Sequence, residues 1–131
     1  MSKAVDPWTK TLLLKAAEDE ATLQLDEIPD GPFGFHSQQA AEKLLKALLS
    51  QLGIPFDRTH DLTRLATQLN DAGEALPVTP VDLAELNKFA VVYRYDGIPD
   101  LELPDRPGSI ETVRIIREHV MARIAAIASQ P

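Results

Sequence analysis

The sequence predicts an all-α fold, an antiparallel up-and-down bundle of four to five helices. Three observations predict it. Hydrophobic residues make up 44% of the chain but aromatics only 5%, with Leu and Ala dominant, a balance that favours packed helices over a sheet sandwich. Apolar residues recur at helical spacings in several separate stretches. Short clusters of Pro and Gly divide those stretches from one another. At 131 residues the chain is expected to form one domain, 1–131, large enough for a single core.

The first helix is expected from Trp8 to about Leu25. Asp6 is its N-cap and Pro7 its first residue, where a missing N–H costs nothing. Trp8, Leu12, Ala16 and Leu23 are expected to face inward, leaving Glu18, Asp19 and Glu20 on the solvated side. Pro29-Asp30-Gly31-Pro32 is expected to end it.

The second helix carries the most informative stretch, residues 35–49. Phe35, Ala41, Leu45, Leu48 and Leu52 form one apolar stripe. On another face His36, Gln39, Lys43 and Lys46 follow at spacings of three and four, which sets an imidazole, an amide and two ammonium groups along one line. Such a line suits an anion or nucleotide, and it equally suits water, since Glu42 stands four residues before Lys46 and pairs with it. Gly53-Ile54-Pro55 stops the helix.

A third helix begins at Thr59-His60-Asp61-Leu62 and runs to about Ala72, with Leu62, Leu65 and Leu69 inward. Asp61 near its start caps free N–H groups and complements the helix dipole. A fourth starts at the cap Thr79, with Pro80 first and Asp82 three residues after the cap, and continues through Leu83, Leu86 and Phe89 to Tyr93. Arg94 and Tyr95, at its end, are candidate ligand contacts. A loop is expected over 96–108. The last helix is expected to be capped by Ser109 and to run to about Ala128, burying Val113, Ile116, Val120, Ile124 and Ile127.

Thirteen basic residues stand against twenty acidic ones, a formal charge of −7. A protein that grips nucleic acid mainly through phosphates is usually basic, so RNA contact would need a local patch. There is no cysteine, which removes disulfides, thiolate metal sites and a cysteine nucleophile. The three histidines show no zinc spacing and no glycine-rich phosphate loop exists, so neither a metal nor a cofactor is expected. No segment is apolar enough to span a bilayer and no signal-peptide run is seen, so a cytoplasmic protein is expected.

Phe35-His36-Ser37-Gln38-Gln39-Ala40-Ala41-Glu42-Lys43-Leu44-Leu45-Lys46-Ala47 resembles the signature helix of HEPN domains, the higher eukaryote and prokaryote nucleotide-binding helical bundles. Trp8 and Ala17-Glu18-Asp19, Thr59-His60-Asp61-Leu62 and Tyr93-Arg94-Tyr95 resemble the family's other segments, in the same order. The resemblance implies a bundle that dimerises, and a partner of the minimal nucleotidyltransferase type, often in a toxin–antitoxin pair. It also implies one of two chemistries. Some members are metal-independent ribonucleases with an Arg and a His four to six residues apart, and others bind nucleotide or protein without catalysis.

Arg114-Ile115-Ile116-Arg117-Glu118-His119 fits the ribonuclease spacing. His119 would move a proton to or from a 2′-hydroxyl, and Arg114 would stabilise charge developing on phosphorus. Against this, Ile115 and Ile116 follow Arg114 where a polar residue is usual, and positions five apart on a helix differ by roughly 140°. The expected function is therefore a binding module for a nucleotide or a nucleotidyltransferase. The alternatives are a ribonuclease toxin using Arg114 and His119, and a ligand-free dimeric interaction domain.

Overall fold

The computed structural model describes residues 4–56, 58–90 and 103–130. Among them are five helices and no strand: α1 (Pro7–Thr22), α2 (Asp30–Gln51), α3 (Leu62–Asp71), α4 (Pro80–Asn87) and α5 (Arg106–Ala128). The all-α helical bundle is as predicted.

α2 is the axis. α1, α3, α4 and α5 all pack on it, and Ala40, Ala41, Leu44, Leu45, Ala47, Leu48 and Leu49 are buried. A helix apolar around this much of its girth belongs inside a domain. α1 runs antiparallel to it. His36 near the start of α2 meets Asp19 near the end of α1, while Asp6 at the start of α1 receives Ser50 and offers its N–H to Gln51 at the end of α2.

The chain then returns, so that His60 lies beside Glu42 in mid-α2. α3 and α4 form a second antiparallel pair, with Asn87 at the end of α4 accepting from Leu62 N–H at the start of α3. α5 starts beside the start of α2. The Arg106 guanidinium donates to the Ile28 carbonyl and to Asp30, both at 2.7 Å, and lies over the Phe33 ring.

Several boundaries differ from expectation for identifiable reasons. Pro29-Asp30-Gly31-Pro32 does not simply end α1; Pro29 is the N-cap of α2 and Pro32 sits in its first turn. Backbone N–H groups are free there in any helix, so proline removes no bond. Ser109 is buried inside α5 and is not its cap. Asp105 holds that place, accepting from Gly108 N–H at 3.1 Å, with Pro107 in the first turn. α4 carries the reciprocal capping box between Thr79 and Asp82 and ends at Asn87. Its expected continuation to Tyr93 lies, beyond Ala90, outside the described residues.

Two orientations are corrected. Trp8 is 55% exposed, because Thr9 takes the inward position that keeps step with Leu12 and Ala16. Asp19 is 6% exposed; it points between helices, not into solvent.

Candidate functional site

The polar line of α2 is a pair of ion-pair clusters built around two buried carboxylates. Asp19, on α1, accepts from His36 Nδ1 at 2.8 Å and from Lys43 Nζ at 2.6 Å. His36 and Lys43 are seven residues apart on α2, two turns along one face, so one carboxylate from the neighbouring helix reaches both. Glu42, 4% exposed, accepts from Lys46 Nζ at 3.0 Å and from His60 Nδ1 at 2.8 Å. Gln38 Nε2 donates to Glu42 at 3.2 Å and to the His60 carbonyl at 2.7 Å, and Gln39 Nε2 donates to Gln38 Oε1 at 2.8 Å. A carboxylate only accepts, so both imidazoles carry a proton on Nδ1 and direct Nε2 away from their carboxylate.

His36, Gln39, Lys43 and Lys46 are thus brought together along one face, as the spacing predicts, and each is engaged within the chain. Asp19 and Glu42, the groups that organise the line, were missing from the sequence-predicted set. Arg94 and Tyr95 lie outside the described residues.

Arg114 and His119 occupy different sides of α5. The Arg114 guanidinium is forked between two glutamates of its own helix. Nε and Nη2 donate to Glu111 (2.9 Å from Nε) and Nη1 donates to Glu118 at 2.8 Å. These hydrogen bonds push Arg114 still further above its usual range, and the same contact holds the Glu111 carboxyl below the usual carboxylate range. His119 is half-buried, and its Nε2 makes no hydrogen bond among the described residues. Desolvation lowers its pKa from the ordinary 6.5, against the pull of Glu74 and with the help of Arg123.

That shift fixes a pH dependence. The folded state disfavours charged His119, so on acidification the unfolded chain takes up this proton first and stability falls. The loss sets in as pH drops through about 6.5 and grows until the lower folded-state pKa is passed. Thermal unfolding between about pH 7.5 and 5 should therefore show the wild type losing more than His119→Gln. Equal losses in the two proteins would contradict it.

Among the described residues, no group of three or more His, Asp or Glu is placed to hold a metal ion, and no helix is long and apolar enough to cross a membrane. A groove of about 470 Å³ lies elsewhere, between α1 and α5, lined mostly by apolar side chains.

With a central α2 on which the other four helices pack, the architecture is that of an all-α helical bundle, and comparison of the sequence gives its family. The HEPN domain family profile matches residues 11–123, from within α1 to within α5. The chain belongs to the HEPN family. No curated protein and no solved structure matches it.

Proposed function

We propose that this chain is a non-catalytic HEPN module that works as a homodimer by docking a partner protein of the minimal nucleotidyltransferase type, in a toxin–antitoxin or related system. The partner class comes from the family. The observation that carries the reading is the internal pairing of the cationic and proton-donating groups on which phosphate contact would depend. Arg114 is held by Glu111 and Glu118, Lys43 and His36 by Asp19, and Lys46 and His60 by Glu42.

A phosphate approaching α2 would meet two carboxylates and would have to displace them from their partners. A charge-assisted hydrogen bond of this kind contributes about 1.5–3 kcal/mol, so a nucleotide gains little by exchanging one for another. A protein partner can instead extend the clusters from outside through His60 and the outward imidazole nitrogens.

Purified protein incubated with RNA in EDTA should leave it intact, and ATP titrated to millimolar levels should produce no saturable change at His36 or Lys43. A minimal nucleotidyltransferase co-expressed with this chain should co-purify with it. RNA cleavage that His119→Ala abolishes would establish the ribonuclease alternative instead.

A further inference from the structure

α1 and α5 both pack on α2 but, apart from the Arg117–Glu20 ion pair at 2.6 Å, make little contact with each other. The gap is the groove of about 470 Å³, floored by Leu44 and walled by Leu13, Leu14, Ala17 and Met121, with Lys10, Glu20 and Arg117 on its rim. Leu14 is 68% exposed and Met121 48% exposed. Scattered exposed hydrophobic residues need no explanation. Here, however, protruding apolar side chains and an unfilled apolar hollow occupy the same patch.

We infer that this groove is the seam of a two-fold symmetric dimer, in which each copy sets Leu14 and its neighbours into the other's groove. The assignment rests on the dimeric reading above and adds the surface that makes the dimer. A two-fold interface must be self-complementary, carrying knob and hole together on one patch, and this patch does.

Charge gives the second argument. Lys10 stands at one end of the groove side of α1 and makes no ion pair among the described residues; Glu20 stands at the other end, where its Oε2 accepts from Arg117 Nη1 at 2.6 Å and its Oε1 is left for a second cation. Ten residues separate Lys10 and Glu20, about 15 Å of helix. Two copies of α1 crossing antiparallel about a point midway between them place Lys10 opposite the partner subunit's Glu20, and this happens twice. The same register sets Leu13 opposite the partner subunit's Ala17, a large side chain against a small one. A foreign helix would need only an apolar ridge to fill the hollow; opposite charges equidistant from one centre are what a second copy requires.

The test is sedimentation velocity on the full chain over a wide concentration range. The wild type should be a concentration-dependent dimer, and Leu14→Glu should raise the dissociation constant by at least about tenfold. Leu14 is exposed in the folded monomer, so circular dichroism should be unchanged in this variant. Lys10→Glu should weaken the dimer through repulsion of Glu20, whereas Val81→Glu, on exposed α4 surface, should not. A wild type that is monomeric throughout overturns both the seam and the dimeric reading. A wild-type dimer untouched by Leu14→Glu and Lys10→Glu overturns the seam alone.

Discussion

Asp19→Ala should destabilise the protein by about 3 kcal/mol, because it strips the carboxylate from two cationic or proton-donating partners in a partly buried site. Lys43 would be left beside α1 with no counter-charge, and His36 with no acceptor for Nδ1. A surface ion pair would contribute no more than about 1 kcal/mol, but Asp19 is not on the surface. Urea denaturation should show the midpoint falling with little change in slope, the sign of lost stability without a change of unfolded state. The double variant Asp19→Ala/Lys43→Met should recover part of the loss, since it removes the uncompensated ammonium. A single variant within about 0.5 kcal/mol of wild type would show that the cluster does not hold α1 to α2.

Gly34→Ala should also destabilise, although helix propensity alone argues the reverse. Replacing Gly by Ala inside a helix normally stabilises by about 1 kcal/mol. At this position a Cβ would lie 2.6 Å from Cγ and Cδ1 of Phe89. Those atoms form the root of a buried ring, not the tip of a flexible chain, so the ring or α2 itself must move. Overpacking of this kind costs about 1–3 kcal/mol, and a net loss near 1 kcal/mol is expected after the propensity gain. A rise in the thermal midpoint of Gly34→Ala would mean that Phe89 yields freely.

Periodicity made α5 readable from its sequence. Val113, Ile116, Val120, Ile124 and Ile127 are all buried, because an uninterrupted helix against one neighbour keeps the same face inward throughout. Caps made Asp6, Asp61 and Thr79 readable, since each side chain bonds an N–H two or three residues ahead. The α5 start was less so. Asp105 and Ser109 both suit a cap, and the tie from Arg106 to Ile28 that fixes α5 spans 78 residues of sequence.

The candidate site was half legible. The spacing of His36, Gln39, Lys43 and Lys46 put them on one line, but their partner Asp19 comes from another helix, 17 residues before His36. A signal for it did exist. Thr9, Leu12, Ala16, Asp19 and Leu23 follow at three, four, three and four, so Asp19 falls on the inward stripe of α1. Its acidic neighbours suggested a solvated run. Adjacent residues on a helix nevertheless point about 100° apart, and only Glu18 of the three is fully out. Glu42 is similar, one step from Ala41 and four from Gln38 and Lys46.

The clasp of Arg106 on Ile28 and Asp30 also bears on how the chain is completed during synthesis. α1 and α2 are neighbours in sequence and can pair early, but α2 keeps one flank uncovered until α5 arrives. Ribosomes add roughly 5–20 residues each second, so the 23 residues of α5 leave that flank exposed for a matter of seconds. The nascent chain therefore offers sticky surface to chaperones until α5 has been made.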